Sequence, residues 1–271
     1  RSLVSKAQSS DYNVRSGSGG VVDAAAAQSV STLALNTNAL VGANAYLHLI
    51  GDFRLPVDLL VSAYNQVTAY DKVRLDSGGA IAIALAKSLV NVKQSKAGVA
   101  IGENADLSSI GDIVLSGSGD YLIDTAVTAK TWGLAGAAQG STLAKVIADY
   151  DVDIAKNATL LGYGDIRLYA GRSATGRSSQ ATLTARTDLW NNTAFPVRTK
   201  PDADATYERY SDINVAAGSQ VNSVGDVFAY ADKGWGNLLG KGVAKDLYTE
   251  ALSALGLSVE IESGSATNAS T

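Results

Sequence analysis

The 271-residue chain has no cysteine and no methionine, one histidine, three prolines and three phenylalanines. Without cysteine there are neither disulfide staples nor thiolate metal sites. A chain that crosses an outer membrane unfolded is also spared premature bridges, so the composition favours export. With His48 as the single histidine, a histidine-based triad and a multi-histidine metal site are both excluded within the chain. No apolar run approaches the ~20 residues that a membrane-crossing helix needs. Charged residues are sparse at 18%, and the net charge is −4. No basic stripe of the kind that tracks nucleic acid is present, so no such partner is expected. No glycine loop of the phosphate-cradling type occurs, and no cofactor is expected. Apolar residues make up 46% of the chain, which excludes disorder through lack of core material. The chain opens on Arg1 and shows no signal peptide, so a fragment of a longer or processed polypeptide is expected.

What is present is repetition. One phrase, an alternating apolar run, a small polar turn and then Gly-Asp with another alternating run, occurs four times. The copies are LVGANAYLHLIGDFRL from Leu40, AIGENADLSSIGDIVL from Ala100, DIAKNATLLGYGDIRL from Asp153 and NVAAGSQVNSVGDVFA from Asn214. Their Gly-Asp pairs are Gly51-Asp52, Gly111-Asp112, Gly164-Asp165 and Gly225-Asp226, with the aspartates 60, 53 and 61 residues apart. A fixed period of this length marks an architecture in which each unit buries its apolar face against its neighbours. A second phrase agrees: SGGVVDAAAAQSVSTL from Ser18 aligns with SGGAIAIALAKSLVNV from Ser77, each preceded by Val-Arg, at Val14-Arg15 and Val73-Arg74. A degenerate third copy lies between Gly133 and Val146.

Within the phrases the periodicity is two, as in half-buried strands. Ile166, Leu168 and Ala170 share one face, and Ile113 with Leu115 is expected to point inward alongside them. The runs Val57-x-Leu59-x-Val61-x-Ala63, Ile81-x-Ile83-x-Leu85 and Ala181-x-Leu183-x-Ala185 alternate likewise. The alanine run Ala24–Ala27 favours helix by propensity, but its alignment with Ile81 and Ile83 assigns it to strand. The expected fold is all-β, a right-handed parallel β-solenoid of about a dozen three-sided coils. Three coils per period at the ~4.8 Å strand spacing give a rod about 55–65 Å long. Solenoid is expected over 1–190, a proline-bearing excursion over 191–212, a further coil over 213–236 and an amphipathic helix over 237–256. A return to strand is expected over 257–271. The helix rests on Val243, Leu247, Ala251 and Leu255 at four-residue spacing, with Gly256 placed as its cap. It is expected to dock on the flank of the rod.

These motifs resemble the filamentous haemagglutinin-like adhesins, and more closely the large leukotoxin-type filamentous adhesins of Gram-negative bacteria. The residues that carry the resemblance are the four Gly-Asp phrases, the two SGG-led phrases and the block Pro201–Leu257. In that block PDADATYERYSDINVAAG runs on to GKGVAKDLYTEALSALG. The resemblance covers essentially the whole chain. It implies a secreted or surface-attached fibre segment, exported through an outer-membrane barrel. It also implies flanking segments or further copies end to end as partners, with host or neighbour-cell glycans or proteins as receptors.

The residues with chemical potential have plain readings beside the sharp ones. His48 sits outward on a strand, in register with Ser108 and Asn222. The Gly-Asp aspartates read as turn residues bonding local amides, since a three-coil spacing of ~14 Å would keep them from sharing a Ca²⁺ ion. Asp202-Ala203-Asp204 matches the DxD element of sugar transferases but lacks a βαβ setting. Asp151, Asp153 and Arg167 contain the residue types of a polysaccharide lyase site, although Asp151 and Asp153 alternate outward into solvent. Arg167, Arg172, Arg177 and Arg186 concentrate positive charge in one quarter of the chain. Trp132, Trp190 and Trp235 stand at turns, where an aromatic stacks on sugar or caps a sheet edge. The sequons at Asn157 and Asn268 are read as turn and strand residues. The expected role is structural and adhesive, with no catalysis. The rivals are a carbohydrate-active β-helix enzyme and a self-assembling filament subunit.

Overall fold

The computed structural model describes residues 1–6, 12–52, 54–197, 201–232, 234–246, 261–263 and 265–270. All regular structure among them is β. The strands are β1 Ser2–Lys6, β2 Val14–Val41, β3 Tyr46–Leu49, β4 Leu59–Ile101, β5 Asp106–Ser109 and β6 Ile113–Ile154. They continue with β7 Thr159–Gly162, β8 Ile166–Ala170, β9 Gln180–Pro196, β10 Asp202–Val215, β11 Gln220–Ser223 and β12 Val227–Ala231. The last are β13 Trp235–Asp246, β14 Ile261–Ser263 and β15 Ser265–Ser270. They form an 11-stranded and a 4-stranded sheet. Pairing is parallel throughout, apart from β14 on β13 and two isolated bridges.

The register shows what the repeat is. Val14 pairs with Val73, Leu59 with Ile113, Ile113 with Ile166, Asp120 with Gln180 and Val227 with Ile166. Each residue therefore lies beside its counterpart one whole period away, at a single strand spacing. The described strands fall into five tiers, β1–β3, β4–β5, β6–β7, β8–β11 and β12–β15, and one period is one tier. This corrects the expectation of three coils per period: the tiers stack to about 25 Å at ~4.8 Å each, not 55–65 Å. The three strand segments in each period are the sides of one tier, two long and one short.

The long strands double back within a tier. In β4 the Asn65 amide donates to Ser95 Oγ at 2.9 Å and Ser88 Oγ to Asp71 Oδ2 at 2.7 Å, so the legs either side of Gly78-Gly79 face each other. The corner needs glycine because backbones meet there. A Cβ at Gly79 would lie 2.1 Å from the Gly20 carbonyl oxygen, and one at Gly133, where φ is +149°, 1.6 Å from that of Gly79. The SGG phrases are these corners, and the Gly133 copy aligns with them as expected.

Between the legs, alternate residues make the core. Ile113, Leu115, Ile166 and Leu168 point inward and are buried, as expected. Ile81, Ile83 and Leu85 take the opposite phase: they face out, and Ala82, Ala84 and Ala86 fill the interior. Next to the corner the second leg of β4 contributes alanines, packed opposite Val73 and Leu75 of the first. A polar layer of Asp71, Ser88, Thr125, Thr142 and Thr187 separates this small cluster from the main core. Lys6 reaches Asp71 there at 2.5 Å. Farther along, Tyr121, Tyr150 and Tyr207 are buried as a group, and the Tyr121 hydroxyl bonds Ser95 at 2.8 Å.

Two segments differ from expectation. Residues 237–246 are not helix but part of β13, where Leu238 pairs with Leu183 and Val243 with Asp188; Val243 is 7% exposed. Gly240 and Gly242 weaken helix there, and the β9 edge pairs the whole run Trp235–Asp246 in parallel. Leu247, Ala251, Leu255 and Gly256 lie outside the described residues. Most of the 191–212 excursion is also strand, since Asn191 to Pro196 belongs to β9 and Asp202 onward to β10. The excursion that does leave the tier is 171–179, a Gly/Ser-rich hairpin between β8 and β9 closed by the Arg172–Ser178 bridge.

Candidate functional site

The Gly-Asp phrases build a ladder. The amide of Asp112 donates to Asp58 Oδ1 at 2.8 Å, that of Asp165 to Asp112 Oδ1 at 2.8 Å and that of Asp226 to Asp165 Oδ1 at 3.1 Å. Each glycine before the aspartate makes room for the carboxylate below: a Cβ at Gly164 would lie 2.3 Å from Asp112 Oδ1, and one at Gly225 2.6 Å from Asp165 Oδ1. Three of the four expected aspartates therefore lie along one edge. Asp52 does not. It closes a local turn, accepting the Arg54 amide at 2.9 Å, and Asp58 takes its rung. Gly51 shares that offset, since a Cβ there would meet the Ile110 side chain and not a carboxylate.

The ladder also changes the cation argument. The carboxylates sit on neighbouring tiers, not ~14 Å apart, but they are already engaged. Amides hold the Oδ1 atoms, while Arg167 donates to Asp112 Oδ2 at 2.5 Å and to Asp165 Oδ2 at 2.7 Å. Among the described residues no group of three or more acidic or histidine side chains is arranged to hold a metal.

The other candidates are dispersed. His48 pairs with Ser108 on the short side, its ring stacked on Tyr46 at 3.6 Å and its Nε2 3.4 Å from Asp106. Asp149 and Asp151 flank Lys96, and Asp153 accepts the Asn214 amide at 2.9 Å. Burial, and then the Asp151 charge beside it, raises the Asp149 pKa. Arg167 bonds elsewhere, to the Asp ladder, so the structure does not assemble Asp151, Asp153 and Arg167 into one site. In the DxD element Ala203 is buried and Asp202 accepts Ser141 at 3.3 Å. Trp190 lies under Lys130 at 5.0 Å, while Trp132 and Trp235 are 42% and 55% exposed.

One concave feature was not anticipated. On the outer face of three successive first legs, Gln66, Asp120 and Gln180 stand side by side, with Thr68, Leu122 and Thr182 two residues further on. The 171–179 hairpin walls this patch through Arg177, giving a cleft of 270 Å³. The hairpin is pinned from both sides. Arg172 Nε donates to Asp232 at 2.5 Å, Ser178 Oγ to the same carboxylate at 2.6 Å, and Ser116 Oγ to the Arg172 carbonyl at 2.7 Å. Burial works against ionisation of Asp232, but Ser178, the Gly234 amide and Arg172 together hold its pKa below the usual value.

At the cleft wall Asp120 Oδ2 accepts the Tyr64 hydroxyl at 2.8 Å and Arg177 Nη2, and its Oδ1 accepts the Gln180 amide at 3.3 Å. Burial and the bond to Asp120 push the Tyr64 pKa up to about 12, so Tyr64 remains a proton donor at neutral pH. Arg1 donates to Gln66 Oε1 at 3.1 Å and lies 5.5 Å over the Tyr64 ring. Sequence reasoning noted Arg177 only within a cluster of arginines. The readable signal for the hairpin was GRSATGRSS from Gly171, a turn-rich insertion between two alternating runs.

Comparison with protein-family models, curated proteins and solved structures finds no match in any of the three.

Proposed function

We propose that this chain is a non-catalytic structural segment of an extracellular or surface-attached adhesive fibre, built as a right-handed parallel β-solenoid with one coil per repeat. The observation that carries the reading is the parallel register at one-period offset. Among the described residues β2 and β3 at one end and β11 and β12 at the other pair on one side only, so both ends offer strand edges to further rungs, although β14 covers β13 at Gly242–Ala244. Further rungs of the same repeat are therefore the proposed partners, in flanking chain or in another copy. A lack of cysteine suits passage through an outer-membrane barrel. Engagement of Arg167, Asp151 and Asp153 by separate neighbours weighs against the lyase alternative.

The self-assembling filament reading is favoured by one feature, the exposed apolar side chains at both terminal tiers, including Tyr46, Ile50, Val224 and Val227. Light scattering and electron microscopy on the purified segment test both. End-to-end association, abolished by Leu47→Lys with Val227→Lys at unchanged melting temperature, supports the stacking reading. Strict monomers at high concentration, with terminal-tier amides protected from exchange, contradict it. Attachment of coated beads to cells tests adhesion itself.

A further inference from the structure

We propose that the cleft under the 171–179 hairpin binds a single acidic sugar residue, held by Arg177 and by the row Gln66, Thr68, Gln180 and Thr182. The proposal rests on the reading of an outward-facing extracellular segment and names what that surface would hold.

Size comes first. At 270 Å³ the cleft falls just below the ~300 Å³ where pockets for drug-sized ligands begin, so it suits one small ring. Chemistry comes next. The side chains of Thr68, Gln180 and Thr182 bond no other described residue, and the Gln66 amide nitrogen is likewise uncommitted, its Oε1 alone meeting Arg1. Two amides and two hydroxyls thus stand in two pairs, Gln66 with Thr68 and Gln180 with Thr182, on either side of the tier that carries Asp120 and Leu122. At two strand spacings, about 9–10 Å, they can meet opposite edges of one ring as donors and acceptors. Leu122, 36% exposed between Thr68 and Thr182, gives the apolar contact that the face of a sugar ring seeks.

Charge sets the class of sugar. Among the described residues Asp120 is the one carboxylate lining the cleft, and Tyr64, Arg177 and the Gln180 backbone N–H already occupy it. Arg177 on the lining balances Asp120, and Arg1, which reaches Gln66 Oε1 beside the cleft, adds one further positive charge at its rim. Arg177 is anchored through Nη2, and its side chain is 51% exposed. A guanidinium held in this way can meet a carboxylate in a fork. Asp120 offsets one of the two arginine charges, and a neutral sugar would leave the other without a counterpart. The hairpin holds Arg177 in place without any contribution from the ligand, because Ser116 and Asp232 fix it from the neighbouring tiers.

The test is ligand-observed saturation-transfer NMR on the full chain with methyl glucuronide, and with methyl glucoside as the neutral probe. We expect the glucuronide to bind with a Kd of about 1 mM, the affinity ordinary for a shallow polar site. The glucoside should bind at least tenfold more weakly. Arg177→Ala should weaken glucuronide binding about tenfold, and Arg177→Lys nearly as much, because the fork is lost though the charge remains. Thr182→Val, which leaves the hairpin untouched, should weaken both probes. Arg186→Ala, outside the cleft, should change nothing. Equal binding of both probes, no binding of either, or indifference to Arg177→Ala and Thr182→Val would overturn the proposal. End-to-end association measured on the same samples separates the two claims: its persistence without sugar binding removes the cleft proposal and leaves the stacking reading intact.

Discussion

The middle and the ends of the stack carry the same inward positions with opposite outcomes. Ile113 and Ile166 are fully buried, yet Val227, the next residue in their column, is 49% exposed. On the short side Leu107 and Leu160 are buried while Leu47, their partner in the first tier, is 40% exposed. Ile101 and Ile154 against Val215 at 50% repeat the contrast. The residue types are alike; what differs is a neighbour on both sides. Burial here belongs to the stack, not to the residue, as it does when repeats contact only their neighbours.

The corners give the largest test of that contrast. Gly133→Ala sets a Cβ 1.6 Å from the Gly79 oxygen, whereas at Gly20, its counterpart in the first tier, the nearest atom to a Cβ is 3.5 Å away. Gly133→Ala should cost about 4 kcal/mol or more, seen as a large fall in the urea midpoint. Gly20→Ala should shift it by about 0.5 kcal/mol or less. Similar costs at the two corners would break the comparison.

Next come the columns. Ile166→Ala should cost about 2–5 kcal/mol as a core truncation, against under about 1 kcal/mol for Val227→Ala. Thermal melts read both values, and association through the last tier would raise the second. Smaller again is the clamp. Arg167→Ala removes two charge-assisted bonds to Asp112 and Asp165. With its side chain 30% exposed, solvent screening brings the expected cost to about 1 kcal/mol.

The smallest effect is on pH. Bonds from Ser18 and Ser77, opposed by burial and aided by the Gly78 amide, lower the Asp23 pKa from 3.8. A lowered folded value means that this group stabilises above the unfolded pKa and that the contribution disappears as pH falls through the folded one. Asp23→Asn should therefore flatten stability below about pH 4, while Asp149, whose pKa is raised, should act in the opposite sense as pH falls. An unchanged acid limb in Asp23→Asn would remove Asp23 from the account.

Much of this was legible in the sequence. The repeats gave the register of Ser18 on Ser77, and alternation placed Ile113, Leu115, Ile166 and Leu168 inward. The extent of one coil was not legible, because three alternating runs fit three sides of one tier as well as three separate coils. The phase of Ile81, Ile83 and Leu85 was hidden because large apolar residues usually mark the inner face, whereas here alanines take it opposite Val73 and Leu75. Asp52 misled because the six residues to Asp58 carry a second aspartate into register. Four-residue spacing around Val243 imitated a helix where the β9 edge imposed strand. The cleft assembles side chains from residue 66 to residue 182, so no local pattern announced it.

The central claim is that one period is one tier, and paired cysteines test it directly in a chain that has none. Ala126 and Arg186 are strand partners on the outer face. Their Cα atoms are expected at about 5 Å, within the roughly 4.4–6.8 Å that a disulfide spans. Ala126→Cys with Arg186→Cys should oxidise readily to an intramolecular bridge, while Ala126→Cys with Leu143→Cys, on opposite legs, should not. Bridging of the second pair and failure of the first would contradict the account and restore a stack of shorter coils.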